Sequence, residues 1–169
     1  MLLRRRYARS VISIRAVDPA AEAAAVSRLV GNYLRQTESE KADRGLATFL
    51  DGGRLPSHYE REIESPAETF DGCAVFLAFD DGDPAGMVVV KPVAGGAEIK
   101  RLWVEPAHRG KSVASLLIHH LASSMEFDVL RLSVWQWRKP ALALYEKLGF
   151  VRVASWENRP QLICLERPR

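Results

Sequence analysis

Residues 98–150 read EIKRLWVEPAHRGKSVASLLIHHLASSMEFDVLRLSVWQWRKPALALYEKLGF, and this stretch decides the fold. EIKRLWV reads as a strand. It runs into the loop EPAHRGKS, which is rich in backbone donors and opens directly into an apolar helix. VLRLSV then reads as a second strand. Strand, helix and strand at this spacing imply a right-handed crossover and a parallel pair. Loop amides and the positive end of the helix macrodipole converge on one point, which makes a site for a diphosphate.

The helix spans Val113 to about Phe127. Ala114, Leu117, Ile118, Leu121 and Met125 form its apolar stripe, and His119, His120 and Ser123 face away. A shorter helix begins at Pro140, with Ala141, Leu144, Tyr145 and Leu148 on one face. Gly149 stops it as a left-handed cap. Phe150–Ala154 and Gln161–Leu165 close the chain as a hairpin around Asn158-Arg159-Pro160.

Upstream, Val11–Ala16 alternates as a strand does. Asp18 and Pro19 then suit the start of a helix whose buried face carries Val26, Leu29, Val30, Tyr33 and Leu34. The charged stretch Thr37–Arg44 reads as an exposed connection. Leu46, Phe49 and Leu50 suggest a helical turn, and Leu55, Tyr59 and Ile63 a short helix ending near Pro66. Ala74–Phe79, Met87–Val93 and Ala97–Val104 follow as an antiparallel meander, with turns at Asp80–Pro84 and Gly95-Gly96. The whole is an α/β chain with a mixed, mostly antiparallel sheet and helices on its faces. Residues 1–10 form a basic tail expected to be disordered, and residues 11–169 one domain.

The 169 residues suffice for one substantial core. A net charge of +3 suits an anionic cofactor but gives no dense basic stripe, so nucleic acid is not expected as a partner. Cys73 and Cys164 lie far apart and form neither a metal cluster nor a disulfide framework. No metal is therefore expected, and the compartment reads as reducing and cytoplasmic. No apolar run approaches the length of a membrane span, and the leader MLLRRRYARS lacks an apolar core, so no membrane partner is expected. A homodimer stays open.

Gly110-Lys111-Ser112 invites a triphosphate-loop reading. That motif needs a glycine where this chain has Glu105, a carboxylate where phosphate must approach, so the reading fails. The loop resembles that of the GNAT N-acetyltransferase superfamily, whose pattern is Arg/Gln-x-x-Gly-x-Gly/Ala after a strand and opening a helix. Here it runs Arg109-Gly110-Lys111-Ser112-Val113-Ala114. The Leu-Tyr-Glu-Lys-Leu-Gly-Phe run at Leu144–Phe150 is a second likeness, and the resemblance covers most of the chain, from the first strand through this run. Two positions depart from the family: Ser112 stands where glycine is usual, and Arg138 where asparagine often precedes the last helix.

The resemblance implies a GNAT fold: a central sheet with one splayed parallel strand pair, flanked by about four helices. It implies transfer of an acetyl group from acetyl-CoA directly to a primary amine of a small molecule or peptide, in a ternary complex. It places CoA on Leu102, Trp103, Val104, Arg109, Gly110, Lys111, Ser112, Val113, Ala114 and Ser115, with Tyr145 reaching the sulfur as general acid and Arg138 open to a phosphate. Glu98 stands eleven residues before Arg109, the spacing of the base in the histone-acetylating branch. A carboxylate withdrawn from water is a stronger base, which suits that role. The alternatives are an ion pair of Glu98 with Lys100 or Lys91, core packing for Trp103 and Tyr145, and a solvated Arg138. A non-catalytic acyl-CoA-binding module is the rival to the enzyme.

Overall fold

A computed structural model describes residues 11–47 and 51–169. The expected tail over residues 1–10, and Phe49 and Leu50 of the suggested turn, lie outside these. The elements are β1 (Ile12–Val17), α1 (Ala23–Ala42), α2 (Ser57–Glu64), α3 (Pro66–Thr69), β2 (Ala74–Asp80), β3 (Asp83–Val93), β4 (Gly96–Ile99), β5 (Trp103–Val104), α4 (Val113–Ser124), β6 (Val129–Trp135), α5 (Lys139–Lys147), β7 (Val151–Arg152) and β8 (Leu162–Pro168). The sheet order is β1-β2-β3-β4-β6-β8-β7, with β5 pairing β3. The β4–β6 pair is parallel, across the α4 crossover, and the other described pairs are antiparallel.

Both faces of the sheet are covered, which explains why the centre of β3 is apolar without alternation. Val88 and Val90 point to the α4 side, into a cluster with Leu117, Ile118, Leu121, Leu130 and Leu132. Met87 and Val89 point to the α1 side, against Val26, Leu29, Val30, Leu34 and Trp103. Each such side chain removed from water contributes about 1.5–3 kcal/mol. Gly149 ends α5 at φ 87°, in the left-handed region.

Two sequence expectations need correction. The stretch after Leu34 is not an exposed connection: α1 continues to Ala42, with Thr37, Glu38 and Lys41 on its buried side. Glu38 is fully buried and accepts a 2.6 Å bond from Lys41 Nζ one turn on. Charge here marks a paired interior, because a cation three residues away neutralises the carboxylate on the same helix face. The stretch Ala97–Val104 is likewise not one strand, and its break shapes the site.

Candidate active site

Pairing between β3 and its partner runs Val90↔Ile99 in β4 and resumes at Met87↔Trp103 in β5. Three residues, Lys100, Arg101 and Leu102, therefore stand opposite Val88 and Val89. Lys100 N donates to Val89 O at 2.8 Å, and Arg101 O accepts from Val89 N at 3.3 Å. This is a β-bulge, which bends the strand away from its neighbour. The parallel pairing stops at Ile99↔Leu132, while β6 continues to Trp135, paired only with β8. Past that point β4–β5 and β6 diverge and leave a wedge in the sheet. Gly86 holds the β5 side of the wedge close: a Cβ there would stand 2.8 Å from Trp103 O and 3.2 Å from Val113 Cγ1.

Two clefts open at the wedge. The first lies along β5 and the start of α4 and is an open cleft spanning about 1050 Å³ with its solvent mouth. Leu102, Trp103, Val104, Arg109, Gly110, Ser112, Val113, Ala114 and Ser115 line it, with Pro140, Ala141 and Leu144 opposite. Its polar end is built from backbone. Gly110 and Ser112 are both left-handed, at φ 76° and 62°, and the bond from Leu116 N to Ser112 O at 3.0 Å starts the helix. The amides before it have no intrahelical acceptor and carry the positive end of the α4 dipole. This donor set, continued by an apolar wall, fits a diphosphate with an aliphatic arm.

The loop is pinned from behind. Asp80, buried at the end of β2, receives Lys111 Nζ at 2.6 Å and lies 2.7 Å from His108 Nδ1. Lys111 thus commits its side chain to Asp80 and, alone among the expected loop contacts, does not line the cleft. His108 also lines the cleft. Arg109 folds its guanidinium over the Trp103 ring, 4.8 Å from the centroid, and donates to Val104 O and Gln36 Oε1. The Trp103 ring itself packs edge-on against Tyr33 beneath α1, as the packing alternative held.

The second cleft lies on the α1 side, spans about 880 Å³ with its solvent mouth, and is walled by Tyr33, Thr37, Tyr59, Lys100, Arg101, Ser133, Trp135, Arg138, Tyr145, Glu157 and Arg159. The two clefts meet at Leu102 and Ala141, which line both. Tyr145 stands in the second cleft one helical turn beyond Ala141. Burial drives its phenol pKa well above the usual value, nearby Tyr33 adds to the shift, and Arg138 opposes it. The hydroxyl is therefore protonated throughout the neutral range.

Arg138 does not meet the diphosphate cleft. Its Nε donates to Glu40 Oε2 at 2.7 Å and its Nη2 to Thr37 Oγ1 at 2.8 Å, so it clamps the start of α5 to α1. Trp137 Nε1 also donates to Glu40. Burial works against the Glu40 charge, but bonds from Gln36, Arg138 and Trp137 outweigh it and hold the carboxyl below its usual range. Arg138 sits beside the wedge because it directly precedes α5, and α5 leans towards the length of α1 that the charge pattern concealed.

Glu98 is buried on β4 and lines neither cleft. Its Oε1 accepts from Lys100 at 2.9 Å and its Oε2 from Arg131 at 3.0 Å. The pairing with Lys100 is the alternative drawn from sequence; Arg131, from β6, was not foreseen. Tyr33, Thr37, Ser133, Glu157 and Arg159 were not singled out for the site either. They come from α1, β6 and the β7–β8 connection, and no local motif marks any of them. Among the described residues no cluster of three or more His, Cys, Asp or Glu could hold a metal ion, and no helix is long and apolar enough to cross a membrane.

No curated protein sequence matches this chain significantly. Similar solved structures include the PaiA N-acetyltransferase of Thermoplasma acidophilum in complex with coenzyme A, at TM-score 0.75 and 16% identity over 94% of this chain and 99% of that one. An acetyltransferase from Thermus thermophilus matches at TM-score 0.67 and 21% identity, over 94% and 97%. The IAA acetyltransferase of Bacillus cereus matches at TM-score 0.64 and 17% identity, over 94% and 100%. These likenesses are of fold. The family model described as the acetyltransferase (GNAT) family matches residues 39–150, more than half of the sequence and all of the wedge, and the chain belongs to that family.

Proposed function

We propose that this protein moves an acetyl group from acetyl-CoA to a primary amine held in the Tyr145 cleft, without an acyl-enzyme. The observation that carries the reading is the junction of the two clefts at Leu102 and Ala141, one turn from a buried, protonated tyrosine. The diphosphate rests on the amides from Gly110 to Ser115, and the aliphatic arm runs along Leu102–Val104 towards the wedge. The amine lone pair forms the new C–N bond as the C–S bond breaks and its electron pair departs on sulfur. Sulfur takes a proton from Tyr145, and nitrogen gives one up.

Lys100 N is held by Val89 O, so the Arg101 and Leu102 amides of the bulge are the candidate donors to the thioester oxygen as it gathers charge. Glu98 remains the candidate base, acting at one remove: it accepts from Lys100, and Lys100 lines the amine cleft.

Calorimetric titration with CoA, followed by thiol release from acetyl-CoA over an amine panel, tests the reading. Absence of CoA binding would overturn it outright. Binding without release on every amine would favour a non-catalytic module.

A further inference from the structure

We propose that the amine acceptor also carries a carboxylate, as a free amino acid does. This rests on the preceding assignment of the Tyr145 cleft to the acceptor.

Donors and acceptors around that cleft are unevenly matched. Glu157 lines it, Glu40, Glu62 and Glu98 stand behind its walls, and each oxygen of these four already accepts at least one bond. Glu157 Oε1 accepts from Ser133 and its Oε2 from Arg159. Both Glu62 oxygens accept from Arg101, at 2.9 and 2.7 Å. Glu98 accepts from Lys100 and Arg131, and Glu40 from Gln36, Trp137 and Arg138. An ammonium group entering this cleft meets one lining carboxylate, Glu157, and would share its oxygens with Ser133 and Arg159.

The cations differ. Every nitrogen of Arg101 already donates, two to Glu62 and one to the Lys100 carbonyl. Arg138 uses Nε and Nη2 but, among the described residues, donates nothing from Nη1. Arg159 uses only one Nη, and Lys100 one of its three ammonium hydrogens. These three side chains are 19%, 55% and 38% exposed, so their unused donors are open to a ligand. Counting Arg131 behind the wall, five cations stand against four carboxylates. The lining thus presents donors and positive charge, and the matching occupant is rich in acceptors. The same surroundings disfavour a second positive charge, which helps the incoming nitrogen shed its proton. A carboxylate placed between Lys100, Arg138 and Arg159 leaves the amine free to point at the junction beside Tyr145.

The test uses the full chain saturated with CoA. Calorimetry compares a panel of L-amino acids with the amines left when each loses its carboxyl group. At least one amino acid should bind about 10-fold or more tightly than its decarboxylated partner, the difference expected for charge-assisted bonds. Arg159→Gln should shrink that ratio several-fold, with CoA affinity measured in parallel to report that the variant is folded. Decarboxylated amines that bind as well as the amino acids would overturn the proposal, as would no binding by either class or a ratio unmoved by Arg159→Gln. Thiol release is read separately, so failure of the transfer reading stays distinct from failure of this one.

Discussion

Replacing Ser112 with glycine should make the protein more stable, although Ser112 occupies a helix N-cap where serine ordinarily helps. The residue is left-handed (φ 62°, ψ 16°), and its side chain makes no capping hydrogen bond. Left-handed backbone costs an L-residue about 1–2 kcal/mol. Glycine removes that cost but loses about 0.5–1 kcal/mol more chain entropy on folding. The net gain is about 0.5–1 kcal/mol, or about 1–4 °C in Tm for a chain of this size. Thermal unfolding without ligand reads the change directly. Ser112→Val, β-branched at the same positive φ, should shift Tm the other way. A Tm that falls or stays put in Ser112→Gly would refute the strain argument and imply a role for the hydroxyl that the structure does not show. With CoA added, the glycine variant should bind more tightly, since the Cβ leaves a loop whose amides face the ligand.

Tyr145→Phe should lower turnover about 10- to 100-fold while CoA affinity holds. Because burial raises the phenol pKa, no alkaline limb from its ionisation should appear below about pH 10 in the wild-type pH–rate profile. Glu98→Gln should flatten the acidic limb of that profile if the carboxylate collects the amine proton, and a limb that stays in place assigns Glu98 to ion pairing alone. Gly86→Ala should force β5 away from β3, lowering both Tm and CoA affinity, the latter about 10-fold; unchanged calorimetry would show that the strand has room. Glu62→Ala leaves Arg101, largely withdrawn from water, without its bidentate partner and should cost about 3 kcal/mol in urea unfolding. Glu40 has a depressed pKa in the fold, so its stabilisation is present above the unfolded carboxylate pKa and lost as pH falls through the folded value. Glu40→Gln should therefore cost more at pH 7 than at about pH 3, and equal costs at both would remove the Arg138 clamp from the account.

The cleft along β5 and the start of α4 was legible in the chain because most of its lining is contiguous. Strand, loop and helix from Glu98 to Ser124 follow one another directly, although the pin from Asp80 to His108 and Lys111 comes from β2. Tyr145 and the end of α5 at Gly149 were legible for the same reason. The facing wall was not. Arg138 reads locally as a solvated arginine or a phosphate ligand, yet it turns to Glu40 and Thr37, about a hundred residues earlier in the chain. Glu98 reads as a base by its spacing, yet Arg131 on the parallel strand claims one of its oxygens. The charged end of α1 reads as a loop until the buried pairing of Glu38 with Lys41 shows why it stays helical. Hydrophobic period and loop chemistry are local properties, so they survive in one dimension. Which cation meets which carboxylate depends on strand register and helix docking, and those exist once the sheet has closed around its wedge.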